Sequence, residues 1–154
     1  MRKFLLLTLL AVLFTAVNVP SSSAAFYDIG STGNSWEDAY VIASPEDMTL
    51  LRDRINAGEE SEGKYYKLNA DISLTDWQAI GSFTGHLDGQ NHTLTINGTQ
   101  GLFDEITVSN NEIAVRNLNL TGTVRNYGSI LASKLESGII ENCKLEDVTL
   151  SGTS

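Results

Sequence analysis

The sequence predicts an all-β fold, a parallel β-solenoid of about four rungs with an amphipathic helix capping its amino-terminal end. Three observations predict it. Residues 83–96 hold two alternating apolar and polar runs around Asp88-Gly89, a pair that bends a chain because glycine permits positive φ and Asp bonds the backbone two residues on. An apolar-x-apolar strand followed by polar-Gly-Thr recurs as Leu94-Thr95-Ile96-Asn97-Gly98-Thr99, Leu118-Asn119-Leu120-Thr121-Gly122-Thr123 and Val148-Thr149-Leu150-Ser151-Gly152-Thr153, at offsets of 24 and 30 residues. Val115-Arg116-Asn117-Leu118 is echoed by Ile140-Glu141-Asn142-Cys143 at an offset of 25. Self-similarity over such distances marks stacked coils, whereas a sandwich of hairpins places a turn every 8 to 12 residues or so. Asp88-Gly89 is therefore read as a corner between two strands and not as a hairpin turn.

Taken in order, the chain starts with Arg2-Lys3, an uncharged apolar run over residues 4–17, and Pro20 followed by small residues up to Ala25. That is the pattern of a secretory signal peptide over residues 1–25, cleaved after Ala25. The apolar run is too short for a membrane span and no second one follows, so no membrane insertion is expected after cleavage. Residues 26–63 form the amino-terminal lead-in and cap. Within them residues 26–35 are a polar extended segment and residues 36–42 a first strand. Ser44-Pro45-Glu46-Asp47 then carries the marks of a helix start: a capping hydroxyl, Pro at the first helical position and acids in the first turn. Asp47 is placed to return a capping bond, Ala43 and Met48 to form a hydrophobic staple, and Met48, Leu51 and Ile55 to share one face. Gly58 should end the helix in the left-handed conformation. An amphipathic helix laid over the first rung would cover apolar core and unpaired backbone that a stack of strands otherwise exposes.

Residues 64–154 are assigned to the rungs. Tyr65-Tyr66-Lys67-Leu68 and Ile72-Ser73-Leu74 read as strands, and Trp77, Ile80 and Phe83 as core. Leu102, Phe103 and Ile106 supply the next inward strand, residues 109–112 a loop, and residues 113–124 and 130–150 the remaining rungs. Asn69, Asn91, Asn97, Asn117 and Asn142 fall at or beside corners, where their amides can bond backbone groups that the bend leaves unpaired. Cys143 has no partner cysteine and is expected as a buried thiol.

The run from Trp36 to Ser154 resembles the bacterial extracellular proteins of the GLUG-motif, pectin-lyase-like right-handed β-helix type. The residues carrying the resemblance are Gly101-Leu102-Phe103-Asp104, Gly128-Ser129-Ile130-Leu131-Ala132, the segment from Phe83 to Leu94, and Ile140 to Cys143. Leu87, Asn91, Asp104, Ser129 and Ala132 depart from the usual pattern. The resemblance implies a right-handed coil and an adhesin-like role at the cell surface or outside the cell.

The formal net charge is −9, and loss of Arg2 and Lys3 with the leader makes the mature chain more acidic still. A nucleic-acid role is excluded for want of a basic stripe. The clustered acids and bases of a polysaccharide lyase are missing too, as are a serine elbow, a phosphate-cradling loop and a zinc helix. His86, Asp88 and His92 lie close in sequence but make a thin ligand set, so no catalytic, cofactor-binding or metal residues are assigned. A corner calcium is the one cofactor the dispersed carboxylates admit. The expected function is a secreted, non-catalytic module contacting a host or cell-surface glycan or protein, with Trp36, Tyr65, Tyr66 and Tyr127 as the candidate ligand-contact aromatics. Two alternatives come from other classes: the leading segment of a larger surface peptidase or polysaccharide lyase, and a structural spacer that self-associates end to end through its carboxy-terminal rung.

Overall fold

A computed structural model describes residues 30–125 and 128–152; the expected signal peptide and Tyr127 lie outside the described residues. The elements are β1 (Tyr40–Ile42), α1 (Pro45–Asn56), β2 (Tyr65–Leu68), β3 (Ile72–Trp77), β4 (Ile80–Phe83), β5 (His86–Asp88) and β6 (Thr93–Gly98), then β7 (Phe103–Thr107), β8 (Ile113–Arg116), β9 (Asn119–Val124), β10 (Ala132–Ser137), β11 (Ile139–Glu141) and β12 (Lys144–Leu150). They form three sheets, ordered β1-β2-β5-β8-β11, β3-β6-β9-β12 and β4-β7-β10. The strand pairings are parallel throughout. From β2 onward the chain visits first, second and third sheet in turn, so each circuit lies on the one before it. A meander of hairpins is ruled out by this direction alone.

The interior consists of side-chain columns running from circuit to circuit. Tyr66, Leu87, Val115 and Ile140 are aligned in the first sheet, Ile72, Leu94, Leu120 and Leu145 in the second, and Phe83, Ile106 and Leu135 in the third. Trp77, Ile80, Phe83, Leu94, Leu102, Phe103 and Ile106 are all buried, and the Phe83 and Phe103 rings stack at 4.5 Å. Burying a side chain of this size contributes roughly 1.5–3 kcal/mol. The first sheet also carries an outward column of alternating sign, Lys67, Asp88, Arg116 and Glu141, in which opposite charges face one another across each ladder step.

Corners explain the asparagines. Asn91, Asn117 and Asn142 each adopt positive φ, a conformation Asn tolerates better than other side-chain-bearing residues. The Asn91 N–H donates to the Asn117 carbonyl at 2.8 Å and the Asn142 amide to the Asn117 side chain at 2.7 Å. Asp88 accepts from the Gln90 N–H at 2.9 Å, as its corner chemistry requires. Gly89 is needed for a different reason from the expected one. It is not among the positive-φ residues, but a Cβ there would lie 2.5 Å from the Asn117 carbonyl oxygen, so glycine serves close stacking of the next circuit.

The capping helix forms as its sequence dictates. The Asp47 N–H donates to Ser44 Oγ at 3.2 Å, and Asp47 accepts in return from the Ala43 N–H at 2.9 Å. At the other terminus the Gly58 N–H donates to Ile55 O and the Glu59 N–H to Arg54 O, with Gly58 at positive φ, the paired closure of a Schellman motif. Met48, Leu51 and Ile55 are buried against the core, with α1 lying over β4 and, less extensively, β3. Asn56 completes the lid: its side chain accepts from the Gly81 N–H at 2.7 Å and donates to Ala79 O at 3.2 Å. It thereby takes the place of a neighbouring strand at the edge of the third sheet.

Three expectations need correction. Ala43 is exposed, so the expected staple with Met48 does not form. The first strand begins at Tyr40 rather than at Trp36, because residues 32–38 are bent into a loop in which Asp38 accepts from the Thr32 N–H at 3.0 Å and the Gly33 N–H donates to Asp38 O at 3.0 Å. The repeat alignment is also displaced: Leu94 lies on Leu120 and not on Leu118, and Val148 lies on Gly122. The offset of 25 between Val115 and Ile140 does coincide with the ladder.

Candidate functional site

Two of the candidate aromatics meet on the outer face of the first sheet. The loop at residues 32–38 is tied to β2 by the Tyr65 N–H donating to Gly33 O at 2.9 Å. The Lys64 ammonium adds a 2.9 Å bond to the Asn34 side chain. Hydrogen bonds from the Thr32 hydroxyl and N–H hold the Asp38 carboxyl below its usual range. Trp36 is thereby laid against the sheet, its ring 4.8 Å from that of Tyr65 in an edge-on arrangement. Tyr65 in turn stacks on His86, the next residue along its ladder, at 4.2 Å.

Two charged residues complete the group. The Arg116 guanidinium lies 3.9 Å from the centre of the Trp36 ring, an arrangement worth about 0.5–2 kcal/mol, and its Nε donates to Asp88 at 2.7 Å. Burial alone would push the Asp88 carboxyl up; the Gln90 N–H, the Asn117 amide and Arg116 outweigh it and hold it below the ordinary carboxylate value. His86 is only 3% exposed. Its Nδ1 is 2.6 Å from Ile113 O and its Nε2 is 3.5 Å from a Glu112 carboxylate oxygen. Trp36, Tyr65, His86, Asn111, Glu112 and Ile113 line a cleft of about 290 Å³.

The other predicted residues fall elsewhere. Tyr66 is 2% exposed, its ring 6.1 Å from that of Phe83, and so it is core and touches no ligand from outside. The correction follows from the pleat: adjacent strand residues point to opposite faces, so Tyr65 and Tyr66 cannot both face out. The two histidines take different partners and make no common site, His92 pairing with Asp71 at 3.2 Å. His86 is shielded by the Trp36 loop, the two rings lying 5.8 Å apart. Cys143 is half-buried rather than fully enclosed, and that burial pushes its thiol pKa up.

A larger groove of about 540 Å³ runs between the end of α1 and the third sheet, lined by Glu59, Glu60, Gln78, Gln100 and Asp104 among others. It offers no aromatic or basic side chain. Among the described residues no group of three His, Cys, Asp or Glu is placed to hold a metal, and no helix is long and apolar enough to cross a membrane. Glu112 and Arg116 were not singled out from sequence, and His86 was weighed only as a thin metal ligand beside Asp88 and His92, although the pairing of Val115 with Ile140 already marked the neighbourhood as one face. No protein-family model, curated protein or solved structure matches the chain.

Proposed function

We propose that the chain is an exported, non-catalytic right-handed β-helix module, akin to the adhesin-like GLUG-motif proteins, that binds a host or cell-surface glycan or protein. Its lateral contact site is the Trp36–Tyr65 cleft. Cyclic passage through three parallel sheets supports the β-helix reading, and parallel crossover connections strongly favour the right hand. The observation that carries the binding role is the convergence of Trp36 and Tyr65, far apart in sequence, around one open cleft beside an exposed carboxylate. Aromatic side chains at the centre of a contact dominate its energy. Replacing both Trp36 and Tyr65 by Ala is expected to lower attachment to host cells or to an arrayed glycan by about tenfold or more, with the fold retained by circular dichroism. Unchanged attachment would remove the lateral face from consideration.

A second reading, end-to-end assembly, is favoured by the last circuit, where Leu135, Ile139, Leu145 and Leu150 are exposed. Light scattering would then give a mass that rises with concentration in the parent protein and stays monomeric after Leu145→Lys with Leu150→Lys. A strict monomer in the parent defeats it.

A further inference from the structure

The hydrogen bonding of His86 points to the chemical class that the cleft takes. A carbonyl oxygen only accepts, so the contact of 2.6 Å between His86 Nδ1 and Ile113 O places a hydrogen on Nδ1. In the neutral form of the ring the lone pair is then on Nε2, 3.5 Å from Glu112 Oε2. Two acceptors face each other across the mouth of the cleft, with no donor between them. At 3.5 Å no further atom fits between them, so the pair is satisfied either by a proton on Nε2 that bonds Glu112 directly or by a donor from outside whose N–H groups reach both acceptors from one side.

The surroundings favour the second source and a positive charge with it. The rings of Tyr65 and Trp36 border the cleft, and aromatic faces attract cations. Arg116, which lies over the Trp36 ring, is engaged by that ring and by Asp88, so it offers no free charge to an anion. A space of about 290 Å³ suits a side-chain head group, being at the small end of ligand sites. The overall charge of −9 draws cationic partners inward.

We infer that this cleft receives the ammonium or guanidinium of a basic side chain on a partner protein, donating to Glu112 and His86 Nε2 from the cleft side and bordered by the Tyr65 and Trp36 rings. The inference rests on the cleft being the binding site proposed above. It is tested by calorimetry on the full chain at about physiological ionic strength, where exposed long-range charge is largely screened. The probes are a tetra-arginine peptide, a neutral oligosaccharide and a uronic-acid oligosaccharide. The peptide should bind and the sugars should not, and Glu112→Gln should weaken the peptide by about tenfold, a change of about 1.4 kcal/mol. Glu146→Gln removes the same charge from an exposed position on β12 and should change binding less than about twofold. Equal weakening by the two substitutions would show diffuse charge attraction and overturn the inference. Sugar binding that Trp36→Leu abolishes would overturn the cation while keeping the cleft. Attachment to cells that survives loss of both Trp36 and Tyr65, with no probe bound, would overturn cleft and cation together.

Discussion

At the amino-terminal end of the stack Met48, Leu51 and Ile55 of α1 are buried over β3 and β4, and Asn56 bonds the backbone of Gly81 in β4 and of Ala79 just before it. At the opposite end Leu135, Leu145 and Leu150 are 48%, 61% and 53% exposed. The residues directly beneath them, Ile106, Leu120 and Val124, are fully buried. Leu94, Leu120 and Leu145 occupy one column and share one residue type, yet the last is open because among the described residues no further layer covers it. Burial in a stacked chain is thus set by position along the stack as much as by the residue itself, since each layer contacts only its neighbours.

That contrast can be broken or sharpened by substitution, beginning with the largest effect. Leu51→Ala should destabilise the protein by about 2–5 kcal/mol, the usual cost of emptying a buried leucine site, measured as a fall in the urea midpoint at constant slope. Asn56→Ala removes the bonds to Ala79 O and the Gly81 N–H at the edge of the third sheet, and because water reaches this edge a loss of about 0.5–1.5 kcal/mol is expected. Ser44→Ala removes the helix cap and should cost about 1 kcal/mol. Leu145→Ala at the open end should change stability by less than about 0.5 kcal/mol, as exposed substitutions do. If Leu145→Ala cost as much as Leu51→Ala, the two ends would be covered alike in solution and the contrast would fail.

Acid provides a test that acts between the ends. The Asp88 carboxyl titrates below its ordinary value in the folded protein. Its stabilising contribution is therefore complete above the unfolded carboxylate pKa of about 3.9 and lost as pH falls through the lower folded value. Thermal midpoints followed from pH 6 downward should drop in that window. Asp88→Asn should lower stability at neutral pH and flatten the acid dependence; an unchanged acid limb would remove Asp88 from the account.

Much of this architecture was legible from sequence because strand patterns and corner chemistry are local. Alternation placed Leu87, Leu94 and Ile96 inside, the Asp88-Gly89 pair marked a corner, and Ser44, Pro45 and Gly58 bounded the helix. The exact stacking was harder to read for a reason of parity. A slip of two residues returns every side chain to the same face, so an apolar pattern cannot tell Leu118 from Leu120 as the partner of Leu94. Bulges add to the difficulty: Asp76 and Asp147 take positive φ where the registers shift, and such insertions leave no apolar mark. The cleft was legible only in part. Tyr65 could have been separated from Tyr66 by alternation alone, but the approach of Trp36 to Arg116 depends on a loop folding back across strands remote in sequence.

The charged column of the first sheet ends at Glu141, after Lys67, Asp88 and Arg116 have alternated in sign. Such a sequence of signs acts as a check digit for layer order: displacing the pile by one storey would set like charge upon like. Any strand that seats itself on β11 meets an anion at that step, so a lysine or arginine there is welcomed and an aspartate or glutamate turned away.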